Sequence, residues 1–566
     1  MAQSGKRIAV IGGGWCGLYA LKSFLEVGLD AVCYEQRDAI GGVWVYREDK
    51  PGGVFLNTRT TASKCYLHAS DFRFPEEVGH FPVHTEVLQY LNDYADHFKL
   101  RPHLKFRHMT QRVEKTVDGL WRVRLLVGEE GLDLEDPEDQ KQAKVIEEYF
   151  DLVAVCSGQH QVPFSPVLAG DPVYKSFTGE VMHSHDYKYP TPDMRDKHVL
   201  VVGGGESASD VAAEVCEAAK KTFHSIRQGV WFQDRTVGAH QPADMVFTKH
   251  QRLLGFSDYQ SWLVWIGRHT MIELMWGRGG SGVKDWQPHC RYFHGFLNKS
   301  RDVVDKVALG KVQPRSGIVR IEGRKVWFRM REDQPDHIDL IIFATGYRPN
   351  NDFLPSPEED EEEEMAGKGK EKGKERERGK QYCRASRDAY KLVFDPRDPT
   401  LCFIGGARPM IGSIPALAEL QARWAAAVYS GKATLPPTEK MVEIVEKDKI
   451  WHSKVFPQDH SSLPELVNHW AYSDEIASYY GAKPKLLKWF FKNPYKWWNI
   501  ISAPWSAHIY RVEEPEMEAK ALEFISRTWL PNHFPFNLFN YTMLLVDICI
   551  FIVLFGLFII TLKLIL

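Results

Sequence analysis

Ile8-Ala9-Val10-Ile11-Gly12-Gly13-Gly14-Trp15-Cys16-Gly17 decides the fold. A β-branched run feeds Gly12-x-Gly14-x-x-Gly17, and a helical stretch from Leu18 to Val27 follows. Strand, glycine turn and helix, in that order, make a dinucleotide-binding unit. Gly12 allows the tight turn, Gly14 lets the backbone approach a pyrophosphate, and Gly17 lets helix and strand pack closely. Phosphates then sit at the helix N-terminus, where free N–H groups and the dipole favour negative charge. The next strand, Ala31 to Tyr34, ends at Glu35, 21 residues past Gly14. A carboxylate there accepts hydrogen bonds from ribose hydroxyls and repels a 2′-phosphate. The two glycines of Gly41-Gly42-Val43-Trp44 fit close backbone approach to a flat ligand, with Gly42 and Trp44 as candidate contacts; a plain turn with a packed aromatic fits them equally.

A second complete unit lies downstream. Val199 to Val202 is the strand and Gly203-Gly204-Gly205-Glu206-Ser207-Ala208 the turn, with a helix expected from about Ser209 to Lys221. Ala208 stands where the third glycine would be, which serves because only a small residue is needed there. The next strand, Thr222 to Ile226, ends at Arg227, 22 residues past Gly205. The two units match in spacing and differ in sign at the diagnostic position. A guanidinium suits a 2′-phosphate through bidentate, charge-assisted bonds. The sequence therefore assigns FAD to the first unit, through Gly12, Gly14, Gly17 and Glu35, and NADPH to the second, through Gly203, Gly205, Ser207 and Arg227. Arg235 is a second candidate for the phosphate, and a solvated surface charge is the other reading of Arg227.

These units predict an α/β protein: two nested Rossmann-like dinucleotide-binding domains, a helical insertion and a C-terminal membrane helix. The FAD domain is expected over 1–164 and again over 331–440, with the NADPH domain at 165–330 between them. Phe150 to Gly158 reads as the strand that closes the first nucleotide sheet, and Ile338 to Tyr347 repeats its pattern. The helical insertion is placed at about 231–310, a disordered charged insert at about 358–380, and a helical region at 441–537. The acidic loop from Glu129 to Asp139 reads as solvated. A helix from Ile414-Pro415 to about Ser430 has an N-terminus suited to phosphate or flavin. From Met543 to Leu566 the only charges are Asp547 and Lys563. At ~1.5 Å per residue this run spans about 36 Å, enough for a bilayer, so residues 538–566 are expected to be a membrane anchor. The Trp- and Lys-rich stretch Lys485 to Trp498 suits a membrane interface.

Composition removes several classes. The 566 residues suffice for roughly three to four domains. A net charge of −3 gives no footing for a nucleic-acid partner. Nine cysteines occur singly, without C-x-x-C, which argues against a redox dithiol or zinc ribbon. No metal site is expected.

Between the two units stands Phe177-Thr178-Gly179-Glu180-Val181-Met182-His183-Ser184-His185-Asp186-Tyr187. It resembles the F-x-G-x-x-x-H-x-x-x-Y/F fingerprint of flavin-containing monooxygenases. Ile40 to Trp44, Cys156 to Gly158, Phe343-Ala344-Thr345-Gly346-Tyr347 and Glu419-Leu420-Gln421-x-Arg423-Trp424 are similar to that family's landmarks, in its order. The resemblance extends to the membrane-anchored animal members of the dimethylaniline N-oxide-forming type. It implies that NADPH reduces FAD, that dioxygen adds to the reduced flavin as a C4a-hydroperoxide, and that an amine nitrogen or sulfide sulfur takes one oxygen atom. It also implies a place in the endoplasmic reticulum membrane, with a lipid bilayer as partner; the sequence leaves a homo-oligomer open. Thr345 and Gln421 become cofactor-binding candidates, and His183 a structural hydrogen-bonding residue. Similar enzymes carry Asn where this chain has Thr61, ahead of Ser63 and Lys64, the residues expected nearest the chemistry. Thr offers one hydroxyl where Asn offers an amide donor and an acceptor, so more leakage to hydrogen peroxide is expected. The alternative activity is a membrane-bound NADPH oxidase that releases peroxide. A disulfide reductase is disfavoured by the missing C-x-x-C, and a flavin-binding scaffold without turnover by the intact glycine motifs.

Overall fold

The computed structural model describes residues 5–167, 170–237, 241–246, 249, 278–290, 295–355, 382–457 and 463–528. Two five-stranded parallel sheets dominate them. The first has the order Leu401–Phe403, Leu152–Val155, Arg7–Ile11, Asp30–Tyr34, Leu104–Lys105. The second has the order Val312–Arg315, Lys221–Ser225, His198–Val202, Leu340–Phe343, Glu180–His183. Each central strand is buried on both faces, which its unbroken β-branched run requires. Each feeds a glycine turn and a helix.

The sheets share one plan. In each, a three-stranded antiparallel meander precedes the strand that pairs with the glycine-turn strand. In the first unit the meander is His108–Lys115, Trp121–Val127 and Lys144–Phe150. In the second it is Ile318–Glu322, Lys325–Phe328 and Arg331–His337. Strand pairing moves one expected boundary. Leu340–Phe343 lies against His198–Val202 in the second sheet, and the chain regains the first sheet only at Leu401–Phe403, so the return expected near 331 falls later. The repeated small-residue pattern at 338–347 therefore marks the equivalent strand of the second unit.

Both cradle helices start earlier than the sequence suggests, at Trp15 and Glu206. The turn proper is Gly12 to Gly14; Gly17 lies inside the helix. A Cβ on Gly17 would fall 1.8 Å from the Gly12 carbonyl oxygen. Glycine is demanded there by contact, not by conformation.

The helix Ile414–Tyr429 packs along Trp15–Glu26 and is buried nearly all round, with Ala416, Ala418, Ala422, Ala425 and Ala426 among its buried residues. Its N-terminus is capped by its own Ser413, which accepts from the Ala416 N–H (3.3 Å). That offset leaves it less suited to an anion than expected. The acidic loop is not simply solvated. Asp133 meets Lys50 (3.1 Å), Glu135 meets Arg37 (2.8 Å) and Arg47 (2.5 Å), and Leu134 between them is buried. The described parts of 231–310 hold two short strand pairs, 3₁₀ turns and the helix Asp302–Ala308 rather than an all-helical insertion. Residues 251–277, the charged insert at 358–380 and the expected anchor at 538–566 lie outside the described residues. Among the described residues no helix is long and apolar enough to cross a membrane. Among the described residues, 438–457 and 463–528 hold the helices Thr438–Val455, His469–Tyr479, Leu486–Lys492, Pro494–Ser502 and Glu518–Thr528, whose buried side chains join the core of the first unit.

Candidate active site

In the first cradle two glycine loops stand back to back. A Cβ on Gly42 would meet Gly14 Cα at 3.2 Å, and the Gly41 N–H reaches the Gly13 carbonyl (3.3 Å). Gly12 takes φ +107°, and a Cβ there would fall 2.7 Å from the Cys156 carbonyl oxygen, so only glycine closes this turn. Gly14 caps the helix with no side-chain hydrogen bond, which leaves the first-turn N–H groups open to an anion. Glu35 is 6% exposed and accepts from the N–H groups of Gly13 (2.6 Å) and Arg37 (2.9 Å). Burial pushes its carboxyl pKa up, against the pull of those two bonds. Trp44 closes the 3₁₀ turn Gly42–Trp44 and meets Trp15 edge-on, with centroids 6.0 Å apart. These features fit a pyrophosphate and ribose.

The second cradle is built the same way and is more open. A Cβ on Gly203 would fall 2.3 Å from the Ala344 carbonyl oxygen, so the turn again requires glycine. A Cβ on Gly205 would meet nothing within 4 Å. The protein's own packing does not need that glycine; the room lies where an anion reaches the uncapped helix of Glu206–Val215. Ser207 is exposed on its first turn, and Arg227 is exposed just beyond Lys221–Ser225. Among the described residues Arg227 has no carboxylate partner. Arg235, the other candidate, is held by Asp210 (3.4 Å) and Asp302 (3.5 Å).

The remaining site candidates divide. The Ser63 N–H donates to buried Asp244 (2.6 Å), 181 residues away, so the loop after the first cradle touches the segment that follows the second. Thr61 is half-buried two residues before. Lys64 turns aside: its ammonium donates to the carbonyls of Pro75, Glu76 and Val78. Thr345 donates to the Phe164 carbonyl (2.6 Å). Gln421 is fully buried and spends its amide on the Gly405 N–H (2.8 Å) and the Tyr472 hydroxyl (2.7 Å). It holds the turn in which Gly405 faces Cys16, where a Cβ would fall 2.4 Å from Sγ. His183 is buried, its Nδ1 accepting from the His185 N–H (3.1 Å), and burial lowers its pKa, so it is neutral at neutral pH. Just past it, Lys188 donates to the Gly52 carbonyl (2.6 Å) and its own carbonyl accepts from the Leu56 N–H (2.9 Å), tying the fingerprint to the first unit.

Asp244, Lys299, Tyr66 and His469 were not singled out by the sequence. Tyr66 stacks on Trp505 (5.1 Å), and His469 meets Trp505 edge-on (4.1 Å). Gly412, at φ +114°, admits the His469 ring; a Cβ there would fall 2.7 Å from Nδ1. Burial pushes the His469 pKa down to about 3, so its ring is uncharged. The Tyr66 hydroxyl, both His469 nitrogens and Asp244 Oδ1 are buried with no hydrogen-bond partner among the described residues. Only the Asp244 segment carried a local hint, an acid in an otherwise apolar Pro-Ala-Asp-Met-Val run. Among the described residues no group of His, Cys, Asp and Glu could hold a metal ion.

The chain matches the family described as flavin-binding monooxygenase-like over residues 5–368 and 377–550. It is 30% identical to dimethylaniline monooxygenase (N-oxide-forming) 2 of Cavia porcellus over 527 residues, 90% of this chain and 89% of that protein. The structure of S-allyl-L-cysteine S-oxygenase from Allium sativum superposes with a TM-score of 0.59 at 21% identity, covering 93% of this chain and all of that one. The OTEMO complex with FAD and NADP gives 0.53 at 16% identity, covering 80% of this chain and 91% of that one. The match runs through both glycine cradles and nearly the whole chain, which makes this protein a member of the flavin-binding monooxygenase-like family: a flavin-dependent monooxygenase whose cofactors are FAD and NADPH.

Proposed function

We propose that this enzyme transfers one oxygen atom from dioxygen to a soft nucleophile, an amine nitrogen or a sulfide sulfur, with FAD in the first cradle and NADPH in the second. The observation that carries the reading is the buried Ser63–Asp244 contact, which brings the loop beside the flavin cradle against the segment leaving the nicotinamide cradle. Bound flavin supplies dioxygen activation; the chain supplies orientation and dryness. Gly12, Gly14, Gly17, Glu35, Gly42 and Trp44 hold FAD. Gly203, Gly205, Ser207 and Arg227 hold NADPH. Thr345 and Gln421 set the loops between them. Thr61 and Ser63 face the reaction, and Lys64 fixes their loop. Uncharged His469, with Tyr66 and Trp505, makes a neutral aromatic wall suited to a small neutral nucleophile.

Aerobic NADPH oxidation with a panel of amines and sulfides, read by mass spectrometry for the gain of one oxygen atom, tests the substrate class. Oxygenated product is expected, with part of the NADPH appearing as hydrogen peroxide; NADPH consumption with no oxygenated product from any panel member contradicts it. Thr61→Asn is expected to raise the ratio of product to peroxide, because the amide adds a donor at that loop. Equal ratios in both proteins would remove Thr61 from the account.

The same reading places the enzyme on the endoplasmic reticulum membrane. Leu487 and Phe491 are 78% and 80% exposed on the helix Leu486–Lys492, beside Lys488 and Lys492, and the apolar run from Met543 to Leu566, with Asp547 and Lys563 its only charges, follows in sequence. Flotation of the expressed full chain with vesicles is the expected result. Recovery in the soluble fraction alone contradicts it.

A further inference from the structure

The second cradle holds a charge pair that a phosphate site does not obviously want. Glu206 is the first residue of the cradle helix, at the terminus where the pyrophosphate of a dinucleotide comes to rest. Lys299 lies 3.5 Å from its Oε1 and is only 8% exposed. Glu206 Oε1 makes no hydrogen bond among the described residues, so the pair is a loose contact rather than a tight bridge.

Lys299 is placed, not drifting. Its neighbour Asn298 donates to the Gly204 carbonyl (3.0 Å) and to Ser209 Oγ (2.8 Å). Its other neighbour, Ser300, donates to Asp210 on the same cradle helix. The segment is therefore stitched to the glycine turn on both sides of the lysine. Burial raises the Asp244 pKa and lowers that of His469; the Lys299 charge opposes the first shift and adds to the second. A buried ammonium needs anions around it. Among the described residues, Glu206 of the second cradle is the carboxylate within ion-pair distance of it.

We propose that Lys299 is a phosphate-binding residue of the nicotinamide cradle, and that Glu206 is the anion that occupies its ammonium until NADPH arrives. The proposal rests on the assignment of NADPH to this cradle. A pyrophosphate at the uncapped helix brings negative charge beside Glu206, which repels it, and beside Lys299, which attracts it. Lys299 then changes partner, and Glu206 sets a threshold that a neutral ligand does not overcome. Arg227, at the end of the next strand, acts on the 2′-phosphate; Lys299 acts on the pyrophosphate.

The test is calorimetric titration of NADP+ and of adenosine 2′-phosphate into the FAD-loaded full chain. Lys299→Met is expected to weaken NADP+ roughly tenfold to a hundredfold, the usual worth of a charged hydrogen bond, and to leave adenosine 2′-phosphate unchanged. Lys299→Arg keeps most of the affinity. Glu206→Gln tightens NADP+ several-fold. The double variant decides, because it removes both charges and strands neither. If Lys299 binds phosphate, the double variant binds NADP+ at least about tenfold more weakly than Glu206→Gln alone. If Lys299 serves only to offset Glu206, the two bind equally and the proposal falls. Unchanged NADP+ affinity in Lys299→Met overturns the proposal alone. A wild-type protein that binds FAD but neither probe overturns it together with the reading it rests on.

Discussion

Gly17→Ala is expected to strip the protein of flavin. The added methyl would lie 1.8 Å from the Gly12 carbonyl oxygen and 3.0 Å from its carbon, both backbone atoms that no rotamer change can move. Ordinary carbon–oxygen contact needs about 3.3 Å or more. The helix must therefore retreat from the strand by over an ångström. It has nowhere to go: Cys16 is wedged against Gly405, and the other face is packed on Ile414–Tyr429. Overpacking of this kind costs about 1–3 kcal/mol, and the displaced helix end carries the N–H groups meant for phosphate. The flavin-to-protein ratio of the purified variant, read from its absorbance, is expected to fall more than tenfold. Gly79→Ala is the control, since a methyl there meets nothing within 4 Å and the residue has no positive φ. Flavin content equal to wild type in Gly17→Ala would show that the first cradle does not hold the cofactor.

Arg511→Met is expected to be the most destabilising single change outside the cradles. Arg511 is 8% exposed and reaches Glu514 (2.8 Å), Asp71 (3.2 Å), Glu419 (3.4 Å) and Ser70 Oγ (2.7 Å). It joins the C-terminal helices to the loop after Ser63 and to the Ile414–Tyr429 helix. Removing one partner of a buried network costs about 3–5 kcal/mol, because the charges left behind stay buried. Urea unfolding followed by tryptophan fluorescence measures it; a loss under 1 kcal/mol contradicts the prediction. The sign with pH follows from Asp71. Burial raises its pKa, but Lys22 and Arg511 outweigh burial and hold it below its ordinary value. A carboxyl depressed in the folded state gives stability that is complete above its unfolded pKa, about 3.9, and is lost as pH falls through the folded value. The gap between wild type and variant should narrow over that acid range.

The two cradles were legible because glycine spacing and strand–turn–helix order are local. So was the helix Ile414–Tyr429, marked by Ile414-Pro415 at its start. What sequence misjudged was set by contacts at long range. Leu340–Phe343 carries the same small-residue ending as Leu152–Val155, and nothing local says which sheet each joins. The 129–139 loop looked solvated because its ion-pair partners, Arg37, Arg47 and Lys50, lie about ninety residues earlier. Lys64 sat within a predicted reactive loop, yet carbonyls 11 to 14 residues on claim its ammonium. Glu206 was visible inside the glycine turn; its meaning came only with Lys299, ninety-three residues away.

Electrons are expected to pass from a 2′-phosphorylated nicotinamide in the Arg227 cradle to FAD in the Glu35 cradle. Anaerobic mixing of the FAD-loaded protein with NADPH or NADH, followed by the bleaching of flavin absorbance, reports this transfer. Fast bleaching by NADPH, much slower bleaching by NADH, and a preference that shrinks by at least about tenfold in Arg227→Ala are expected. A protein that takes up no flavin, or one that NADPH and NADH reduce equally well, would contradict it.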